Sequence, residues 1–388
     1  SRLRKRESSM RPGWTGLALR MVAAMMAVSS SIALAQEPPA DDGAAEPPAE
    51  AADEYDGSTL IPLPVIFYQP ETGLGFGVTA LYYYRLTAGD TISPPSSLAP
   101  VAIYTTKNQI ILGLWSEMFV DKDRWRINSE ISYSKFPTKF WGIGNDTPDS
   151  AEEDYTPSTL TLKGWPQKRI AEGWYAGFAA MLIDRGLSEL QEGGQLESGL
   201  VPGAEDGQAL GLGGSLTRDT RDNTVYPRRG GYHRLLVDLF GKVWIGDYGF
   251  GRYTLDLRGY FPVARTHVVA LQALAVASSG QPPFDQYPQL GGESLLRGYF
   301  QGRYRDRSLL AFQGEYRLPL FWRLGLAGFA GIGQVAPDFG GFGMDRFWIA
   351  GGAGLRFLLA RREGLNIRAD FAFGEGSSGF YLSIGEAF

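Results

Sequence analysis

The chain has no cysteine. That excludes disulfides, thiol nucleophiles, thiolate metal sites and a lipid-bearing amino-terminal cysteine. Histidine occurs twice, at His233 and His267, each at the start of a predicted strand, where a lumen-lining or interface role is the simpler assignment. There is no Gly-x-Ser-x-Gly elbow. Gly73-x-Gly75-x-Gly77 runs into a strand, not into the helix that a phosphate loop requires, so its glycines are assigned to strand bending or close packing. No metal, cofactor or catalytic set is expected, and an enzyme is not expected. No stretch reaches 18 consecutive apolar residues, which excludes transmembrane helices. Residues 57–388 carry 31 basic and 33 acidic side chains, so there is no basic face for nucleic acid.

What is present begins with an export signal. Arg2, Arg4, Lys5, Arg6 and Arg11 precede a short apolar run over 17–28, and Ala33-Leu34-Ala35 offers a small-x-small cleavage site. Residues 1–35 are therefore expected to be a signal peptide. Residues 36–56 hold eight acids, no base, and much proline and alanine, the composition of a disordered tether. From residue 57 the texture changes to glycine, aromatic and β-branched residues, and 57–388 is expected to be one barrel domain.

Period two dominates that domain. Tyr253, Leu255, Leu257 and Phe261 alternate with Arg252, Thr254, Asp256, Arg258 and Tyr260. Leu365, Ile367, Phe371 and Phe373 alternate with Asn366, Arg368 and Asp370. The pattern predicts strands over 61–69, 73–86, 98–106, 109–120, 124–136, 155–166, 173–185, 207–218, 231–243, 249–261, 266–278, 308–319, 323–335, 346–359, 364–374 and 379–388. The fold class expected is all-β, a sixteen-stranded antiparallel transmembrane barrel, an even number as bacterial barrels have.

Alternation alone does not distinguish a membrane barrel from a soluble one. The export signal favours the membrane. So do Tyr82, Tyr83, Tyr84, Trp115, Trp141, Trp244, Tyr248 and Trp322, placed near strand ends as interfacial girdles are, and the final aromatic Phe388. Connections also alternate in length: 121–123, 262–265 and 320–322 are short, while 137–154, 186–206 and 279–307 are long. The acidic loop residues Asp146, Asp149, Glu152, Glu153 and Asp154 are expected to be solvated. The localisation expected is the outer membrane of a Gram-negative bacterium, with its lipid and lipopolysaccharide as surroundings and a protein client or a second copy as further candidate partners.

The most informative segment is LGGESLLRGYFQGRYRDRSLLAFQGEYRLP, residues 290–319. Its loop part is long and rich in glycine and arginine. Alternation puts Glu315 on one face with Gln313 and Arg317, opposite Phe312, Tyr316 and Leu318, so Glu315 is expected in the lumen, able to receive Arg297.

Leu296-Arg297-Gly298-Tyr299 resembles the (V/I)RG(F/Y) signature of the BamA/TamA superfamily of outer-membrane assembly and translocation barrels, the bacterial surface antigen family. LPVIFYQPETGLGFG at 63–77 resembles the first hairpin of such barrels, 217–231 their mid-barrel periplasmic turn, and Phe329 to Val335 their Phe-x-Asp-x-Gly strand. The resemblance implies a sixteen-stranded barrel with loop 279–307 folded inside and Arg297 held by acids on the next two strands. Glu315 matches the first acid. The second position is Gly331, so one arm of the lock is expected to be missing. Periplasmic POTRA repeats do not fit within 36–56. Glu386 stands where the family's assembly signal has an apolar residue.

Pro62 and Pro64 in the first strand each remove a backbone donor. They either weaken the seam with 379–388, which in the family opens toward lipid, or mark where the tether enters the wall. Two functions follow as expectations: a biogenesis factor aiding insertion or movement of proteins or lipids, or a channel for small polar solutes lined by residues such as Asp238, Asp256, Arg258, Arg317, Arg356, Arg368 and Asp370.

Overall fold

A computed structural model describes residues 58–388 except 88–89, 91–92, 94, 243–245, 264–265, 345 and 361–363. The expected signal peptide, the tether and Trp244 lie outside the described residues. Sixteen antiparallel strands form a closed barrel: β1 (Thr59–Gln69), β2 (Gly73–Tyr84), β3 (Ser96–Thr105), β4 (Ile110–Val120), β5 (Trp125–Lys135), β6 (Glu153–Ala171), β7 (Trp174–Ser188), β8 (Gly207–Asp219), β9 (Gly230–Gly241), β10 (Phe250–Pro262), β11 (Val268–Gly280), β12 (Ser308–Pro319), β13 (Leu324–Ala336), β14 (Trp348–Ala360), β15 (Leu365–Gly374) and β16 (Ser377–Ile384). No helix among the described residues is long and apolar enough to cross a membrane. The expected strand order and number hold, and the largest shift in bounds is β6, which runs several residues further at its end.

The alternating sequence becomes an inside-out distribution. On β12, Gln313, Glu315 and Arg317 turn inward and are buried, while Phe312 and Tyr316 turn outward. On β15, Arg368 and Asp370 are fully buried, whereas Phe371 is 59% and Phe373 63% exposed. An exposed apolar band of this extent is an aggregation hazard in water but is the favourable state against hydrocarbon. Trp322 stays outward at a strand end. Trp115, Trp141 and Tyr248 do not join a girdle. Trp115 packs with Val65, Phe67 and Ile111, Trp141 is buried against Phe300, and Tyr248 sits beside Arg185. Period two does not say which aromatics turn inward: Trp115 does so in the middle of β4, and Trp141 and Tyr248 do so in loops.

The two barrel ends differ. One carries the links 121–124, 172–173, 263–267, 320–323 and 361–364 and two longer ones, 85–95 and 220–229, while the tight links 70–72, 106–109 and 375–376 lie at the other. Asp121, Lys122 and Asp123 all adopt positive φ in the tight 121–124 turn. The opposite end carries the long loops 136–152, 189–206 and 281–307, which fold together over the lumen. Phe140, Tyr155, Leu196 and Phe284 form a buried cap, pinned by the Arg185 to Asp285 ion pair at 2.7 Å. Of the acidic loop residues, Asp146, Asp149, Glu152 and Asp154 are exposed as expected, and only Glu153 is drawn into the cap. Glu153 is buried and accepts the backbone N–H groups of Gln195 and Leu196, Glu152 pairs with Lys139, and Asp149 pairs with Arg303.

A lumenal ion cluster and a half-paired seam

The loop 281–307 enters the lumen because it has an apolar underside. Leu290, Leu296, Tyr299 and Tyr304 pack on Val276, Leu309, Ala311, Val335 and Ala350 of β11 to β14. Its tip needs unusual backbone. Leu296 has φ 53° and Gly298 φ 117°. A Cβ at Gly298 would lie 2.8 Å from the backbone of Phe373, so only glycine lets the loop approach β15 this closely.

That approach brings Arg297 onto its partners. Its guanidinium donates to Glu315 at 2.7 Å and to Asp370, and lies over the Phe329 ring, 3.4 Å from the centroid. The expected pair with Glu315 is present. The expected missing arm is not missing. Asp370 on β15 takes the place assigned to position 331, two strands further round the wall. Gly331 has a different reason to lack a side chain: a Cβ there would meet Gln313 Cβ at 2.9 Å and Leu296 Cδ1 at 3.2 Å.

Around this pair lies a closed cluster. Arg317 donates to Glu315, Arg356 to Glu315, Asp370 and Glu386, and Arg368 to Glu293, with Asp370 3.6 Å from it. Four arginines thus face four carboxylates, Glu293, Glu315, Asp370 and Glu386. All are 9% exposed or less. Buried charges are tolerated only when matched and hydrogen-bonded, and here the count is neutral. The cluster also resolves a cross-strand conflict. Arg356 and Arg368 are direct neighbours in the β14–β15 register, an unfavourable like-charge pair unless acids intervene.

The rest of the tip binds both sides of the place where the barrel closes. Tyr299 donates to the Ile349 carbonyl at 2.9 Å and accepts the Glu375 N–H at 2.8 Å. The Gly298 N–H donates to the Tyr381 hydroxyl of β16 at 3.0 Å, and Ser377 donates to the Gly298 carbonyl at 2.7 Å. Across the closure, the Gln301 N–H donates to the Glu71 carboxylate at 2.6 Å, in the turn between β1 and β2. Glu71 is 2% exposed, and its second oxygen has no partner among the described residues. Burial, the dominant cause, pushes the Glu71 carboxyl up to about 7, opposed by the Gln301 N–H.

The closure itself is uneven. β1 pairs with β2 along its whole length, from Thr59 opposite Tyr83 to Gln69 opposite Gly73. Against β16 the register aligns Tyr68 with Leu382 and no further pair among the described residues. Continuing it would set Glu386 opposite Pro64 and Phe388 opposite Pro62. Instead the chain leaves the wall at Gly385, whose φ is 89°, and enters the lumen. Phe388 packs with Tyr260, Val268, Ala270 and Ala387, and its carbonyl accepts from Arg317 at 2.9 Å. Phe388 is therefore a lumenal residue and not an interfacial one. Leu60 to Pro64 are exposed in succession, so alternation is lost where the partner is absent.

Sequence reasoning found Leu296, Arg297, Gly298, Tyr299 and Glu315, and the structure brings them together. It placed Asp370, Arg356 and Arg368 in the lumen without seeing that they meet. It missed Glu293, Tyr381 and Glu71 altogether, which sit in turns or on faces where alternation assigns no partner. Of the two histidines, His233 lies on β9, and the His267 ring Nδ1 is hydrogen-bonded with the Tyr316 hydroxyl at 2.5 Å.

Residues 104–388 match the Omp85 superfamily domain. No curated protein matches the sequence. Among solved structures the chain is similar to BamA from Haemophilus ducreyi lacking POTRA domains 1–3, with a TM-score of 0.60 at 14% identity, covering 85% of this chain and 70% of that one. It is also similar to CdiB from Acinetobacter baumannii, with a TM-score of 0.53 at 10% identity, and to CdiB from Escherichia coli, with 0.54 at 8%. Each likeness covers 85% of this chain, but the chain spans 59% and 63% of those two CdiB chains. At such identities the likeness establishes the shared fold.

Proposed function

Because the chain belongs to the Omp85 superfamily, we propose that it works in the outer membrane of a Gram-negative bacterium, aiding the insertion or movement of proteins or lipids without covalent chemistry. The observation that carries this is the half-paired seam. The outer edge of β1 from Thr59 to Val65 has no registered partner among the described residues. In hydrocarbon, unmet backbone N–H and C=O groups cost several kcal/mol each. Such an edge therefore draws in another strand or disturbs the lipid beside it. The outward apolar band suits phospholipid and lipopolysaccharide as neighbours, and a protein client suits the free edge.

The lumen favours this over a solute channel. The four arginines and four carboxylates around the loop tip are paired with one another and so offer few free charges to a solute, and the buried loop cap lies at the long-loop end. The deciding experiment is deletion or depletion of the protein in its own cells. A changed outer-membrane protein or lipid content is expected. Unchanged content with loss of uptake of one solute would sink the proposal. In planar bilayers the pure protein is expected to be nearly silent, and large steady currents would favour the channel.

A further inference from the structure

We infer that Glu386 is a positioning residue that sets how far the seam closes, by holding the end of the last strand inside the lumen on the same arginines that hold the 281–307 loop. The purpose of this device rests on the proposed function above; its existence rests on geometry alone.

Three observations support it. First, Glu386 is fully engaged. One carboxylate oxygen accepts from Arg356 at 2.8 Å and lies 3.9 Å from Arg317; the other accepts from Asn366 at 2.8 Å. The preceding Gly385 N–H donates to the Asn366 carbonyl at 2.7 Å, which fixes the bend. Second, the alternative state does not suit this residue. Tyr381 and Ser383 of β16 face inward and are buried, so odd positions line the lumen. Continued as a strand, β16 would turn Glu386 outward toward hydrocarbon or its interface, where a carboxylate is disfavoured. Third, β1 offers little reward for closing. The residues that Glu386 and Phe388 would face are Pro64 and Pro62, which lack the N–H a ladder uses. Glutamate and prolines thus act in one direction, the first favouring the inward state and the others weakening the closed one.

The arrangement also couples two elements. Arg356 serves Glu315, which anchors the loop through Arg297, and Glu386, which anchors the strand end. A movement of the loop that re-aims Arg356 loosens the strand end as well. Two sites that share one group are linked in free energy, and the linkage is reciprocal.

The absence of cysteine allows a direct test with introduced pairs. Ala387→Cys with Ala270→Cys reports the inward state, since both residues lie in one lumenal cluster. Ala387→Cys with Leu63→Cys reports the closed seam, since the continued register sets these residues opposite. Full-length protein refolded in detergent is exposed to a mild oxidant, and the yields of the two disulfides are compared. With Glu386 in place the lumenal pair is expected to exceed the seam pair about tenfold. With Glu386→Leu the seam pair is expected to overtake it, and with Glu386→Gln, which keeps the size and the Asn366 contact, the ratio is expected to fall at least threefold. An equal or dominant seam pair with Glu386 present overturns the inference, and so does a ratio that both substitutions leave unchanged. Should Glu386→Leu fail to fold, the glutamine variant and the unsubstituted background still decide. Outer-membrane protein and lipid content measured in the same strains separates the two claims. Exchanged disulfides with normal content uphold the positioning role and sink the proposed function, while unexchanged disulfides sink the positioning role whatever the content.

Discussion

Arg297 donates to Asp370 across the lumen, joining the in-folded loop to the penultimate strand of the wall. The same guanidinium reaches back to Glu315 on β12, so one side chain spans the wall from β12 to β15. Beyond it, Tyr381 and Glu71 carry the loop's contacts across the closure to β16 and to the β1–β2 turn.

Removing that arginine leaves the buried cluster one positive charge short, although Glu315 keeps Arg317 and Arg356 and Asp370 keeps Arg356. Arg297→Ala is expected to destabilise the barrel by about 3–5 kcal/mol, the usual cost of breaking a buried ion pair from one side. Urea unfolding of refolded protein in detergent measures this. Asp370→Asn and Glu315→Gln are each expected to cost less than Arg297→Ala. The double variant Arg297→Ala with Asp370→Asn should cost less than the sum of its parts, because neither residue then leaves the other unmatched. Strict additivity would mean that the two act separately.

Restoring the acid implied at position 331 should harm and not help. Gly331→Asp forces a Cβ into Gln313 and Leu296 and adds a fifth carboxylate to a balanced cluster. Overpacking alone costs roughly 1–3 kcal/mol. A lower yield of folded barrel on refolding, judged by heat-modifiable gel mobility, is the expected outcome. A gain in stability would show that the lock is short of an acid after all.

Glu71 makes the contact between loop and first hairpin sensitive to pH. Its carboxyl titrates at about 7 in the folded chain against an ordinary 4.5. Because the folded value is raised, the unfolded chain loses its proton first. Stability from this group therefore falls as pH rises from about 4.5 to about 7 and is level above that. The span corresponds to roughly 3 kcal/mol. Burial is the main cause, with the neighbouring Glu293 adding to it and the Gln301 N–H and Lys107 opposing it. Glu71→Gln is expected to flatten the difference between pH 5 and pH 8 in the same unfolding assay. An equal pH dependence in both proteins would assign it elsewhere.

The prolines of β1 spare the open edge two unmet donors while the strand end is inside. Pro62→Val with Pro64→Val restores two donors to an edge that has nothing to receive them. Stability is expected to fall, because each new N–H would stand unmet beside hydrocarbon. Combined with Glu386→Leu, the same pair should slow exchange of the β1 amides, read by hydrogen–deuterium exchange, because the donors then find a partner. Protection that appears without Glu386→Leu would mean the seam closes on its own.

The barrel was legible because its period is two and its solvent is reversed: Phe312, Glu315, Phe371 and Asp370 declare their faces by position alone. The motif Leu296 to Tyr299 was legible as a lumenal tip because arginine inside a wall needs a carboxylate, and alternation supplied Glu315. Asp370 as the second arm was not legible. Its partner is set by how far the loop reaches round the wall, a distance that no local pattern encodes. Gly331 misled for the same reason, since its empty Cβ position reflects the approach of Leu296. Glu386 was visible only as a departure from an apolar position.

The sequence by itself determined the strands, their two faces and the need for an inward arginine to be matched, because these follow from periodicity and the cost of burying charge. Only the tertiary structure decided which acids match which arginines, that the last residues leave the wall, and that the seam is half paired. Those depend on closure, which brings β1, β16 and a loop far from both in sequence to one place, and closure is a property of the whole ring and not of any segment in it.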